Sequence, residues 1–141
     1  VITRADVELL TPEARQGGVF ELSDALAHKD RSRALEIVDT LAAGGAYWPM
    51  QLTLLAGLFR QALAVRELNA RDSRQVVSAL GRLGVRIWPS RAQQLLAVAG
   101  KFSKQELEKA LTCFFEADRD LRRERPDDRF IMERLIIELT A

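Results

Sequence analysis

Residues 113–139 have the sequence CFFEADRDLRRERPDDRFIMERLIIEL, which predicts two helices joined at residues 125–128. Apolar side chains recur at steps of three or four along the first of these helices, as expected for one face of an α-helix. The face is made of Leu107, Leu111, Phe114, Asp118 and Leu121. Asp118 therefore falls within an apolar stripe, where a carboxylate must be paired or hydrogen-bonded.

We expect Asp118 to form a buried ion pair with Arg60, which lies beside another apolar stripe on a long helix predicted at residues 50–70. Arg122 is the alternative partner, because it lies one turn further along the same helix. A contact between Asp118 and a neighbouring subunit is a third interpretation. If the pair with Arg60 is buried, Asp118→Ala should cost about 3 kcal/mol, because the guanidinium would lose its partner. Asp118 is interpreted as a structural lock, since no second acid, base or metal ligand accompanies it in the pattern.

The last helix is apolar on nearly all sides. At 100° per residue, one broad face is formed by Ile131, Met132, Leu135, Ile136 and Leu139. The opposite side carries Phe130 and Ile137, next to Glu133 and Arg134. A helix that is apolar all round lies either in the centre of its bundle or against another chain. Phe130, Ile137, Glu133 and Arg134 are therefore a candidate partner interface, with a central place in the core as the alternative.

Helical periodicity continues through the rest of the chain, and no stretch alternates in the manner of a strand. Asp30 and Asp72 are predicted helix caps, and Ser103 with Glu106 has the spacing of a capping box. The connecting segments are short. The sequence therefore predicts an all-α fold, a compact bundle of about seven to eight helices. Residues 1–16 are expected to be the tail of a preceding domain, separated by a break at Gly17–Gly18 from a helical domain of residues 17–141.

The composition excludes several classes of protein. The 141 residues are 48% hydrophobic and 29% charged with a net charge of +1, which is typical of a soluble globular domain. No apolar run is long enough to span a membrane, and no glycine pair belongs to a phosphate-binding loop. The single cysteine, Cys113, is interpreted as a small buried hydrophobe, and the single histidine, His28, as a surface residue. We expect no catalytic residue, cofactor or metal, and we interpret a chain that begins with Val as a piece of a longer protein.

A local excess of arginine lies between residues 60 and 91, a segment that contains seven arginines and only two acidic residues. Residues 73–96, which overlap this region, resemble a helix-turn-helix, although the turn is longer than usual and Trp88–Pro89 interrupts it. The candidate nucleic-acid contacts are Arg66, Arg71, Arg74, Arg82, Arg86 and Arg91. They could read bases or hold phosphates without sequence preference, and a solvated or partner-facing surface is the alternative.

Five segments together carry a resemblance to a known family. They are VFELSDALAHKDRSRALEIVDTL (19–41), LLAGLFRQALAVREL (54–68), KFSKQELEKAL (101–111), EADRDLR (116–122) and ERLIIEL (133–139). In this order and spacing they resemble the C-terminal part of the delta subunit of bacterial DNA polymerase III, a clamp-loader subunit. The resemblance covers nearly the whole chain. One departure is that Arg122 stands where the family usually has Lys, with RERPDD in place of a small Gly-rich loop.

The resemblance implies a collar-type domain. Delta-like proteins have an ATPase-like domain, a lid domain and a helical C-terminal domain, and residues 1–10 are similar to the end of the lid. The C-terminal domains of five subunits pack into a ring, the collar. Delta-type subunits do not hydrolyse ATP, and they contact and open the sliding clamp through an N-terminal domain that this chain lacks.

The resemblance implies that the chain is a non-catalytic oligomerisation module of a replicative clamp loader. The complex to which such a subunit belongs, the DNA polymerase III holoenzyme, is an enzyme. The expected partners are the gamma/tau and delta-prime types of loader subunit, with DNA in the parent complex and no membrane. The expected location is the bacterial cytoplasm. The alternative function is a helical DNA-binding domain that uses the basic region of residues 60–91.

Overall fold

The computed structural model describes residues 12–123 and 128–141. Within these ranges the chain forms seven α-helices and no strand. The helices are α1 (Pro12–Ala27), α2 (Arg31–Ala43), α3 (Trp48–Glu67), α4 (Ser73–Arg82), α5 (Pro89–Lys101), α6 (Lys104–Leu121) and α7 (Asp128–Leu139). The predicted all-α bundle is confirmed. None of the helices in this part of the chain is long and apolar enough to cross a membrane.

Helix α3 lies at the centre of the bundle, where it packs most extensively against α6 and also contacts α1, α4 and α5. Its buried side chains are Trp48, Leu52, Leu55, Leu58, Phe59, Ala62 and Val65. The ring of Phe59 lies 5.1 Å from that of Phe102 and 5.0 Å, edge to face, from that of Phe114. This aromatic cluster fixes α3 against the C-cap of α5 and the middle of α6.

The predicted caps begin three of the helices. Asp30 accepts a hydrogen bond from the backbone N–H of Arg33, and Asp72 accepts one from that of Gln75. Ser103 and Glu106 form the reciprocal capping box. Each cap satisfies backbone N–H groups that have no partner inside their helix, so these starts are set by local sequence.

Gly17 and Gly18 lie inside α1, so the helix break predicted there is wrong. The physical reason for a small residue is close packing, because a Cβ atom on Gly18 would lie 3.2 Å from Cδ2 of Leu41 on α2. A domain boundary near residue 16 remains a prediction. Residues 1–11 of the expected tail lie outside the described residues, as does the junction predicted at residues 125–127.

Helix α7 packs against α6 and α2. Its predicted broad face is buried, namely Ile131, Met132, Leu135, Ile136 and Leu139. The end of the helix is held by the turn that precedes α2, where the ammonium of Lys29 donates to the Leu139 carbonyl at 3.0 Å. Nε of Arg31 donates to Oγ1 of Thr140 at the same distance. Cations at a helix C-terminus also complement the helix dipole, so α7 has a fixed position.

Candidate functional site

The outer face of α7 carries two large apolar side chains in an exposed position. Phe130 is 53% exposed and Ile137 46% exposed. Seven residues make almost two helical turns, so the two side chains lie on one face. Helix α7 is thus at the outside of the bundle and not in its centre, and its outer face is open to a partner.

Glu133 and Arg134, predicted together with this face as partner contacts, already have ion-pair partners within the chain. Glu133 pairs at 3.0 Å with Arg129, which also reaches Asp39 of α2. Arg134 pairs with Asp120 of α6. These pairs tie α7 to α2 and α6, and they hold its outer face in one orientation. A contact of Glu133 or Arg134 with another subunit remains a prediction.

Asp118 pairs with Arg122, the alternative partner, at 3.2 Å within α6. Its side chain is 29% exposed, and no ion pair joins it to Arg60 among the residues of the two described ranges. The residues that α6 buries are Leu107, Ala110, Cys113, Phe114 and Ala117. Ala117 therefore takes the buried position, and Asp118 lies at the edge of the face. The predicted buried pair with Arg60 is corrected accordingly.

The direction of the two helices explains why Arg60 and Asp118 do not meet. Glu67 at the end of α3 lies 4.0 Å from Lys104 at the start of α6. Since Phe59 contacts Phe114 further along both helices, the two helices run antiparallel. With this register Asp118 lies opposite the first half of α3, roughly 9 Å along the helix axis from the level of Arg60.

Arg60 and Asp118 instead mark the two ends of a groove between α3 and α6, which we call the α3–α6 groove. The groove has a volume of about 400 Å³. It is lined by Leu52, Thr53, Ala56 and Arg60 of α3 and by Leu111, Phe114, Phe115 and Asp118 of α6. Phe115 is 70% exposed. The apolar floor and this exposed ring make the groove a second candidate contact surface.

The ion pair between Asp120 and Arg134 is a lock that the sequence pattern did not reveal. The Asp120 side chain is only 14% exposed, and it joins α6 to α7. It follows Cys113 and Ala117 on a second face of α6, which packs against α7. The helical spacing of residues 113, 117 and 120 was a signal for this second face. In the sequence these residues are interleaved with those of the stripe that faces α3, so the two faces are hard to separate.

Two of the six candidate nucleic-acid arginines are used inside the bundle. Nη1 of Arg66 donates to the Ala99 carbonyl at 2.6 Å, near the end of α5. Nε of Arg91 donates to Oε1 of Gln61 at 3.2 Å, and burial lowers the pKa of the Arg91 guanidinium. Neither guanidinium is therefore directed wholly at solvent.

The other four arginines, Arg71, Arg74, Arg82 and Arg86, are exposed. Within residues 12–123 and 128–141 their guanidinium groups form no ion pair. Arg74 and Arg82 lie two turns apart on α4 and line one shallow depression together with Ser78. Uncompensated guanidinium groups on one helix face can bind phosphates.

Asp24 joins three helices of the bundle. Its carboxylate accepts hydrogen bonds from Lys101 of α5 at 2.7 Å and from Arg33 of α2 at 3.0 Å. The hydrogen bond from Lys101, supported by Arg33, lowers the pKa of Asp24. This cluster is structural, because both cations approach from helices that pack around α1.

Cys113 is buried, and its pKa is raised, first by burial and then by the nearby Glu138 and Glu116 carboxylates. A thiol that stays protonated is a poor nucleophile. Within the described residues, no group of three or more His, Cys, Asp or Glu side chains could hold a metal ion. Three surfaces of this part of the chain can contact a partner, namely the outer face of α7, the α3–α6 groove and the exposed arginines.

Residues 16–139 match the family model described as DNA polymerase III delta subunit, C-terminal domain. Among solved structures, the chain is similar to the Bacillus subtilis DNA clamp loader delta protein, with a TM-score of 0.77 and 21% sequence identity. That similarity covers 96% of this chain and 39% of the Bacillus protein, so this chain spans well under half of its length. None of the curated proteins matches this chain.

Proposed function

Because the chain belongs to the family of C-terminal domains of the DNA polymerase III delta subunit, we propose that it is an oligomerisation module of a bacterial clamp loader. In this proposal it contributes no catalytic group and holds its subunit in the assembly. Its neighbours are loader subunits of the gamma/tau and delta-prime types. The sliding clamp is contacted by a part of the delta subunit outside this chain, and the complex works in the cytoplasm.

The observation that carries this proposal is the outer face of α7. Phe130 and Ile137 are exposed on a helix whose opposite face is buried and which ion pairs join to α2 and α6. A rigid helix with exposed aromatic and aliphatic side chains loses little conformational entropy on binding. It is therefore suited to permanent packing against the helices of another subunit.

The test is assembly of the delta-type subunit that carries this chain with the remaining loader subunits. Ile137→Asp places a carboxylate within the proposed apolar contact, so the affinity for the other subunits should fall by about tenfold or more. Affinity is measured by sedimentation or by biolayer interferometry. Because Ile137 is exposed, the thermal unfolding of the variant should match that of the wild type.

Leu83→Asp is the matched control, since Leu83 is also a large exposed aliphatic residue but lies at the C-cap of α4. It should leave assembly unchanged. An Ile137→Asp variant that is folded and assembles with wild-type affinity would reject the α7 contact. A delta-type subunit that does not associate with other loader subunits at all would reject the oligomerisation function.

A second function, DNA binding, is favoured by the distribution of charge. Residues 60–91 hold seven arginines and two acidic residues, whereas the rest of the chain holds fourteen basic and eighteen acidic residues. A basic segment on an otherwise acidic domain directs a polyanion to one region. Arg74 and Arg82 of α4 and the nearby Arg71 are the exposed members that would contact phosphates.

This second function predicts binding that weakens steeply with salt. The double variant Arg74→Gln/Arg82→Gln should reduce the slope of log affinity against log salt by about one per lost phosphate contact. Lys109→Gln/Arg123→Gln removes the same charge from outside the basic region, and it should keep the slope. DNA affinity that is absent at about 50 mM salt, or equal slopes for the two double variants, would reject this role for α4.

A further inference from the structure

The α3–α6 groove faces away from α7. Phe115 lies about 200° around the α6 axis from Ala117, which belongs to the face that packs against α7. A partner on the outer face of α7 therefore leaves the groove open. A subunit that stands in a ring or a row meets one neighbour on each of two different surfaces. The groove is suited to be the second of these surfaces.

The walls of the groove decide which secondary structure can occupy it. Both walls are α-helices whose backbone N–H and C=O groups are already bonded within the helix, so the groove offers no edge for an added strand. Recognition must come from side chains that enter between α3 and α6. From Leu52 to Arg60 the groove is roughly 12 Å long, which corresponds to about two turns of a helix.

The charges at the groove decide the chemistry of its occupant. Asp118 at one end is paired with Arg122 at 3.2 Å. Arg60 at the other end is exposed, and its guanidinium has no ion pair or hydrogen bond within residues 12–123 and 128–141. The groove therefore presents one uncompensated positive charge beside an apolar floor and the exposed ring of Phe115. A complementary segment carries a carboxylate next to an apolar side chain.

We propose that the α3–α6 groove binds an amphipathic helix of a neighbouring clamp-loader subunit, which packs an apolar side chain against Phe115 and pairs a carboxylate with Arg60. This inference rests on the proposed oligomerisation function and adds a second contact to it. The Phe115 ring and the Ala56 methyl group form the apolar part of the site. The guanidinium of Arg60 fixes the orientation of the incoming helix.

The first experiment measures assembly of the delta-type subunit with the other loader subunits. Phe115→Ser and Arg60→Glu should each lower the affinity by about tenfold, because an aromatic anchor is lost in one and the charge is reversed in the other. Both side chains are exposed, so circular dichroism and thermal unfolding should remain those of the wild type. Leu83→Ser is the control for Phe115→Ser, and Arg123→Glu is the control for Arg60→Glu.

The second experiment identifies the occupant. A photoreactive phenylalanine analogue is placed at Thr53, which lines the groove and is exposed. After irradiation of the assembled loader, peptide mass spectrometry should find a crosslink to a helical segment of another subunit, and that segment should contain Asp or Glu. Replacing that acid with Lys should restore the affinity that Arg60→Glu lost.

The outcomes separate this inference from the function on which it rests. Assembly weakened by Ile137→Asp but not by Phe115→Ser or Arg60→Glu would overturn the groove contact and leave the oligomerisation function intact. A crosslink from Thr53 to this same chain, to a second copy of it or to DNA would also overturn the groove contact. If the wild-type subunit does not assemble with any loader subunit, both proposals fail.

Discussion

Asp118 and Asp120 lie two residues apart on α6, but they have different structural roles. Asp118 is 29% exposed and pairs with Arg122 on its own helix, whereas Asp120 is 14% exposed and pairs with Arg134 on α7. Two residues correspond to about 200° around a helix, so the two carboxylates face different neighbours. The comparison shows that an acid near an apolar stripe becomes a lock only where a second helix brings a cation to it.

Phe114→Ala should cause the largest loss of unfolding free energy. The losses caused by replacing Asp118 and Asp120 are compared with it. Phe114 is buried and its ring packs edge to face against Phe59, so the variant should lose about 3–5 kcal/mol of unfolding free energy. Urea denaturation followed by circular dichroism measures this loss. Phe115→Ala is the matched control, since the adjacent ring is exposed, and it should cost less than about 0.5 kcal/mol. Equal losses for the two variants would contradict the assignment of the buried face.

Asp120→Ala should have the next largest effect. Its carboxylate is mostly buried between α6 and α7, and its removal leaves Arg134 without that partner. We expect a loss of about 1–2 kcal/mol, between the values for exposed pairs and for fully buried pairs. A double-mutant cycle with Arg134→Ala measures the coupling directly, and it should account for about 1 kcal/mol of the loss. A coupling near zero would mean that the pair does not hold α7.

The ion pairs of Asp24 can be removed by protonating its carboxylate at low pH. They should contribute about 1 kcal/mol or less to the free energy of unfolding. Lys101 lowers the pKa of Asp24 in the folded protein, so the ionised form stabilises the fold above the unfolded pKa. This contribution is lost as the pH falls through the pKa of Asp24 in the folded protein, which lies below the ordinary pKa of an aspartate. The wild type should therefore be more stable than Asp24→Asn at pH 6, and this difference should shrink steadily as the pH falls below the ordinary pKa of an aspartate. A stability difference that does not change with pH would contradict the charged cluster.

The features that could be predicted from sequence are those that local geometry sets. Asp30, Asp72 and Ser103 cap their helices through backbone groups three residues away, and the two faces of α7 follow from the helical period. These interactions need no knowledge of the neighbouring helices. The family resemblance likewise depends on the order of several segments along the chain, and the family model confirms it.

The partner of Asp118 and the position of Gly18 depend on how helices approach each other, which a single helix period does not contain. Arg60 is a suitable partner by residue type, but α3 and α6 run antiparallel, which offsets the two residues along the axis. A glycine pair is typical of a turn, whereas Gly18 makes room for Leu41 inside a helix. The groove and the exposure of Phe115 were also not predictable, because they arise from the space between two packed helices.

Asp118→Ala should have the smallest effect, under about 0.5 kcal/mol, because the residue loses only an exposed pair with Arg122 on the same helix. The measurement is again the midpoint and slope of urea unfolding, with Asp120→Ala compared under identical conditions. A loss of unfolding free energy near 3 kcal/mol would instead support a buried ion pair between Asp118 and Arg60, which requires the groove to close in solution. If Asp118→Ala instead leaves stability unchanged but alters the affinity for other loader subunits, the carboxylate belongs to the contact surface of the α3–α6 groove. Stability and assembly measured on this one variant therefore decide between a lock, a helix-surface pair and a contact with a neighbouring protein of the loader.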